Sequence, residues 1–231
     1  MPTFNLSMLL SGQYHQWLVS GFAMSIKLSL LAFVLSLPLA IAVALIRIAP
    51  FALIRGMGQA YVESIRNVPL LAHMLFWYFG APQLLPLSVK TWLYNSNYEA
   101  ASALIALVLY TSAYMSEDIR SGIRSIPKEQ FEASRALGFG FLRAMWLVVL
   151  PQSLRVTVPP LVNQTLNLWK NSSIAMVIGV AELMYQAQQV ESATFRGFES
   201  FAFATAAYLT VSIAISVFSA WYQNRFPVRS I

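Results

Sequence analysis

Long stretches without a charged residue dominate the chain, and their length predicts helices that cross a membrane. Uncharged runs of 19, 23, 17 and 25 residues occur along the chain, close to the ~20 apolar residues that a spanning helix needs. One further span, before the last of these runs, is predicted as a broken helix, because Arg155 and Lys170 enclose 14 uncharged residues that include Pro159 and Pro160. The five predicted spans are residues 20–46, 57–80, 98–118, 152–171 and 200–224.

These spans predict an all-α, polytopic transmembrane helical bundle that forms one domain over residues 1–231. Pro38 lies within the first span and is expected to kink it. Residues 81–97 contain two prolines and one lysine and are predicted as an external loop. A short helix is expected around residues 173–186, returning partway across the membrane or lying at its outer surface.

Composition and charge support a membrane protein and set its orientation. Hydrophobic residues make up 58% of the 231 residues and charged residues only 10%, far below the ~25% charge of soluble domains. In the predicted loops nine basic residues lie on one side and two on the other, so the positive-inside rule predicts an N-terminus outside and a C-terminus in the cytoplasm. The nine are Arg47, Arg55, Arg120, Arg124, Lys128, Arg135, Arg143, Arg225 and Arg229, and the two are Lys90 and Arg196.

One cytoplasmic segment is unusually rich in charge. Eight of the 19 residues from Glu117 to Arg135 are charged, which requires contact with water. Ser125 is expected to cap a helix with Pro127 in its first turn, and Gly138 stands where that helix would end with a positive φ. A second short helix is expected over about 141–150. Glu117 itself is interpreted as a helix-end charge in water.

The spacing within this segment resembles the EAA loop of the membrane subunits of bacterial ATP-driven importers. That loop reads E-A-A, three residues, G, nine residues, I, one residue, L-P, and in the family its helices enter a groove on a separate ATPase subunit. Here Ser134 replaces the second alanine and Val148 the isoleucine. The resemblance implies ATPase-coupling roles for Glu132, Ala133, Ser134, Gly138, Leu150 and Pro151.

Two further blocks, within about 57–187, resemble permeases of polar amino-acid importers. The first runs from Tyr61 to Leu71 and matches Y-x-E-x-x-R-x-x-P-L-L; the second extends the EAA loop through Asn163. The resemblance implies the permease subunit of an ATP-binding-cassette importer in the bacterial inner membrane. It also implies cytoplasmic ATPase subunits, a periplasmic or lipid-anchored amino-acid-binding protein, and a second permease, identical or similar.

Candidate substrate residues are Glu63 and Arg66, which share a helix face and would be buried within the second span. Arg66 offers the planar donor pair that a carboxylate prefers, and Glu63 could take an ammonium group. By resemblance, Asn163 would complete the site. The alternative is an ion pair that only fixes helix packing.

Other chemistry finds little support in the sequence. The chain has no cysteine, its two histidines lack ligand spacing, and no G-x-x-x-x-G-K-[ST] phosphate loop occurs. We therefore expect no metal and no cofactor, with ATP bound and hydrolysed by a partner subunit, and no nucleic-acid partner. The competing interpretations are a secondary transporter or channel for small polar solutes, and an intramembrane enzyme, for which paired catalytic groups are lacking.

The predicted orientation can be tested by labelling, because the chain contains no cysteine. A cysteine at Ser88 should react with an impermeant thiol reagent added outside intact cells, and a cysteine at Ser121 should react only after the cells are opened. The opposite pattern of labelling would overturn the orientation.

Overall fold

The computed structural model describes residues 7–95 and 97–227, and these residues contain helices and no β-strand. Two π-helical turns occur at Phe76–Gly80 and Met145–Val149, and two 3-10 segments at Ala81–Leu84 and Ser172–Ile178. The α-helices are α1 (Ser7–Leu10), α2 (Gly12–Ile48), α3 (Ala52–Arg66), α4 (Leu70–Leu75), α5 (Leu87–Tyr94), α6 (Tyr98–Arg124), α7 (Lys128–Ala136), α8 (Phe141–Ala144), α9 (Leu150–Asn171), α10 (Leu183–Thr194) and α11 (Gly197–Arg225).

Four helical segments in the described residues are long and apolar enough to cross a membrane. They are Gly12–Ile48, Tyr98–Arg124, Met145–Ile178 and Gly197–Arg225, and they contain the first, third, fourth and fifth predicted spans. The all-α, polytopic class is confirmed, whereas the count of five spans and the orientation of the termini remain predictions. Of the two basic residues placed at the C-terminal end, Arg225 ends α11 and Arg229 lies outside the described residues.

The second predicted span is not one continuous helix. It divides into α3, which ends at Arg66, and α4, which begins at Leu70. Pro69 stands before α4 with φ −58° and ψ 143°, an extended conformation that interrupts the helical backbone. Proline also disfavours helical geometry at the residue before it, here Val68. The break therefore follows from local sterics.

Pro159 and Pro160 have the opposite outcome, and the predicted break in the fourth span is wrong. Both lie inside α9, which runs unbroken from Leu150 to Asn171. The proline ring fixes φ near −65°, which suits a helix, and membrane helices tolerate the missing N–H bonds when neighbouring groups compensate.

Two shorter predicted elements also need correction. Residues 81–97 are not an irregular loop, because they contain a 3-10 turn and α5. The helix expected over 173–186 is divided instead: the chain continues from α9 as a 3-10 segment to Ile178, turns at Gly179 with φ 87°, and begins α10 at Leu183. A left-handed residue ends a helix, and glycine adopts this conformation without a side-chain clash.

The described residues form two compact units. The first takes in the described parts of residues 1–35, 68–109 and 166–214, and the second those of 36–67, 110–165 and 215–231. An apolar cluster in the first unit is formed by Leu9, Leu18, Leu183, Ala187, Val190 and Ala204, each 0% exposed. Burial of such side chains stabilises the unit by ~25 cal/mol per Å² of apolar surface removed from water.

A buried carboxylate lies beside this cluster. Glu182 is 0% exposed and caps α10, accepting from the Tyr185 backbone N–H at 2.8 Å. The Tyr208 hydroxyl donates to Glu182 Oε2 at 2.7 Å, and the Ser25 hydroxyl donates to the same atom at 3.2 Å. Because a buried charge is costly unless it is well hydrogen-bonded, these donors are what allow a carboxylate here.

The second unit contains a very close approach between α6 and α9. A Cβ atom added at Gly122 would lie 1.9 Å from Thr157 Oγ1 and 3.1 Å from its Cβ. Thr157 is buried, and its hydroxyl donates to the Ser153 carbonyl at 2.7 Å. The two helices can therefore contact each other here only because residue 122 has no side chain.

Gly122→Ala should lower the stability of the purified protein by about 1–3 kcal/mol, because it overpacks this contact. Gly56→Ala is the matched control, since a Cβ there has no neighbour within 4 Å. Thermal melting in detergent should show a lower midpoint for Gly122→Ala alone and partial recovery when Thr157→Ala is added. A wild-type midpoint for Gly122→Ala would contradict the close packing.

Candidate functional site

The charged segment, which we call the EAA element (residues 117–151), contains a helix that ends on glycine. Gly138 follows α7 with φ 83°, as the sequence predicts. The Phe139 N–H donates to the Ser134 carbonyl at 3.1 Å, and the Gly138 N–H donates to the Arg135 carbonyl at 2.9 Å. These bonds form a Schellman-type cap, which satisfies the last carbonyls of the helix.

The predicted coupling residues differ in exposure. Glu132, Ala133, Gly138 and Pro151 are exposed, whereas Leu150 is half-buried. Ser134 is buried, and its hydroxyl donates to the Phe131 carbonyl at 2.6 Å.

One side of α7 is thus free in the described chain. Leu137, which follows α7, is 78% exposed. On its other side α7 is held to α8 through the edge-to-face contact of Phe131 and Phe141, whose ring centroids lie 5.8 Å apart. A rigid helix therefore presents a small, mixed acidic and apolar face to the outside.

Two local predictions for the EAA element are wrong. Ser125 caps no helix: its hydroxyl donates to the Gly122 carbonyl, and the N-cap position of α7 is Pro127. The second short helix begins at Phe141 but does not end before Pro151, because a π-helical turn joins α8 to α9. Proline is tolerated at Pro151 because it lies in the first turn of α9, where its missing N–H has little effect.

A cavity of about 820 Å³ lies in the second unit and is lined mainly by charged side chains. It lies against the polar side of α3 and the last turns of α2 and α6. Its charged lining residues are Arg47, Arg55, Arg66, Arg120, Arg124, Glu63 and Glu117, accompanied by Gln59, Asn67 and Tyr114. The excess of arginine over glutamate makes the cavity attractive to anionic groups.

Glu63 and Arg66 both line this cavity, but the predicted burial of their side chains is wrong, since both are exposed. The reason is that α3 is an amphipathic helix whose polar side faces the cavity. The Arg66 guanidinium lies 4.8 Å above the ring centroid of Tyr114, and Glu63 accepts a hydrogen bond from Gln59. Asn163, on α9, is exposed and is not among the described residues that line the cavity.

Glu117 has a role that sequence reasoning missed. It is not a charge in water: its side chain is 25% exposed and forms salt bridges with both Arg47 and Arg120. Arg47 is only 6% exposed and also donates to Gln59 Oε1 at 3.0 Å. The Arg120 pairing at three residues' separation could have been found from helix periodicity, but Arg47 lies 70 residues away in the sequence and no local signal predicts its contact.

Comparison with known proteins identifies the family. Residues 36–227 match the family described as "Binding-protein-dependent transport system inner membrane component". The chain belongs to this family of inner membrane transport components. The match covers the EAA element and the whole of the charged cavity.

Relatives of this inner membrane component match over most of their length. It is 39% identical over 221 residues to the "Probable glutamine ABC transporter permease protein GlnM" of Bacillus subtilis (strain 168), covering 96% of this chain and 94% of the relative. It is 34% identical over 206 residues to the "Glutamate/aspartate import permease protein GltJ" of Escherichia coli (strain K12), covering 87% and 84%.

A solved structure agrees in fold. The crystal structure of an amino acid ABC transporter with histidines is 31% identical, with a TM-score of 0.85, and the match covers 97% of this chain and 100% of that one. These findings confirm an ABC importer permease of the bacterial inner membrane, a multi-pass transport subunit and not an enzyme.

Proposed function

We propose that this permease moves a polar amino acid into the cytoplasm. The observation that carries the proposal is that relatives covering 96% and 87% of the chain are named as permeases for glutamine and for glutamate/aspartate. The cavity supports it, because it offers arginine side chains for a carboxylate and a glutamate for an ammonium group.

We further propose that the exposed side of α7 docks on a cytoplasmic ATPase subunit, which binds and hydrolyses the ATP. Glu132, Ala133 and Leu137 form this exposed side, and the glycine-dependent cap fixes the direction in which the chain leaves it. A short rigid helix can transmit force to and from a partner, whereas a flexible loop would absorb it. The buried Ser134 and the half-buried Leu150 support the element from within.

The remaining partners follow from the family name. A binding-protein-dependent system requires an external binding protein, here one for amino acids, that delivers the substrate. A second permease, identical or similar, would complete a path that one chain of this size does not enclose, and two ATPase subunits would serve the pair.

Within the permease, we propose that Arg66 binds the α-carboxylate of the amino acid and Glu63 its ammonium group. The Tyr114 ring covers one face of the Arg66 guanidinium, which leaves the N–H edge available for a planar carboxylate. Both side chains line the cavity. The assignment of Asn163 to the same site rests on the resemblance alone, since this residue lies on α9 outside the cavity lining.

Gly138→Val should uncouple transport from ATP hydrolysis. A β-branched residue at φ 83° costs about 1–3 kcal/mol, and the end of α7 would have to change direction. Gly140→Val is the matched control, because a Cβ at either glycine has no neighbour within 4 Å and only Gly138 has a positive φ.

The measurement is ATP hydrolysis by the reconstituted complex, with and without substrate-loaded binding protein. Gly138→Val should insert normally and lose substrate-stimulated hydrolysis, Gly140→Val should keep it, and Gly138→Asn, which tolerates a left-handed conformation, should recover part of it. Normal stimulation in Gly138→Val would contradict the coupling role.

Arg66→Lys keeps the charge but loses the two-pronged donor, and so it should weaken apparent substrate affinity by about tenfold to a hundredfold. Arg55→Lys is the control in the same cavity, because Arg55 donates to the backbone carbonyls of Ala49 and Pro50. Uptake of radiolabelled glutamine and glutamate at matched expression measures the effect. Near wild-type uptake by the double variant Glu63→Gln with Arg66→Gln would rule out the binding role.

A further inference from the structure

A continuous chain of polar contacts leads from the proposed substrate residues to the beginning of the EAA element. Gln59 donates to Glu63 through its amide nitrogen and accepts from Arg47 Nη2 through its amide oxygen. Arg47 Nη1 donates to Glu117, which also accepts from Arg120. The chain therefore joins α3, the end of α2 and the last turns of α6.

Arg47 is the central residue of this chain, and its surroundings hold it in place. Its side chain is 6% exposed, and its two terminal nitrogens bind groups on different helices. A Cβ at Gly58 would lie 2.7 Å from Arg47 Cγ, so α3 leaves room for this side chain. Arg47 Nε is buried without a hydrogen-bond partner among the described residues, a cost that the two other nitrogens offset.

We propose that Arg47 and Glu117 are positioning residues that transmit occupancy of the cavity to the EAA element. This inference rests on the proposed function. An ammonium group that binds Glu63 competes with the Gln59 amide for the same carboxylate, so Gln59 has to turn. Its amide oxygen is the acceptor for Arg47 Nη2, and Arg47 must then rearrange as well.

The rearrangement reaches the EAA element through Glu117. This residue divides its two carboxylate oxygens between Arg47 and Arg120, so a shift of Arg47 changes how tightly Arg120 is held. Arg120 lies in the last turns of α6, which ends at Arg124, and α7 begins at Lys128. Ion pairs with discrete arrangements can transmit such a signal, because each arrangement favours a different position of the attached helices.

Arg47→Lys separates transmission from structural support. Lysine keeps the charge opposite Glu117, but its single ammonium group cannot occupy both positions of the guanidinium. Glu117→Gln removes the charge between the two arginines. Asp118→Asn is the matched control, because the neighbouring carboxylate on α6 binds Gln164 at 2.9 Å and no arginine.

The full complex, in lipid nanodiscs with its ATPase and binding protein, is assayed for ATP hydrolysis. The probe is whichever of glutamine, glutamate and aspartate stimulates the wild-type complex most. The ratio of stimulated to basal hydrolysis should fall about fivefold or more in Arg47→Lys and Glu117→Gln, at unchanged subunit stoichiometry, and should stay at the wild-type value in Asp118→Asn.

The outcomes distinguish this inference from the function beneath it. If no amino acid stimulates the wild-type complex, the proposed function itself fails. If the wild-type complex is stimulated but Arg47→Lys keeps the full ratio, the transmission role is overturned while the importer remains. An equal loss in Asp118→Asn would also overturn it, because the effect would not depend on the arginine contacts. Should Glu117→Gln not assemble, Arg47→Lys alone decides.

Discussion

The cost of placing a charge in a bilayer determines where the ionisable groups of this permease lie. A charged side chain far from water has to find a partner or a water-filled cavity, and each solution appears here. The EAA element carries its charges at the surface, Glu117 is enclosed between two arginines, and Glu182 accepts hydrogen bonds from neutral donors. The helices between these positions are free of charge because they contact lipid or one another.

The arginine-lined cavity is where this constraint becomes useful. Once several guanidinium groups have been brought to one place, the remaining unpaired charge can be neutralised by a visiting anion. The stacking of Arg66 on Tyr114 holds one of these groups in a fixed orientation without using its hydrogen-bond donors. A membrane protein thus obtains a polar site largely from groups that its own topology requires near the membrane surface.

The sequence predicts the long helices well, because length and hydropathy depend only on local composition. It predicts the end of α7 too, since a positive φ strongly favours glycine at Gly138. It fails at the prolines: hydropathy cannot distinguish Pro69, which interrupts a helix, from Pro159 and Pro160, which lie within one. The partnership of Arg47 with Glu117 is equally hidden, because tertiary packing alone brings these residues together.

The hydrogen bonds around Glu182 have a mechanical consequence. Apolar packing tolerates small sliding of one helix along another, but a hydrogen bond loses most of its strength when its geometry is disturbed. Ser25 on α2 and Tyr208 on α11 both donate to the carboxylate that caps α10. A shift of any of these helices by one residue, 1.5 Å, would break contacts that nothing else nearby can replace. The cluster therefore acts as a register pin, which makes rotation of these helices as one body easier than movement of one past another.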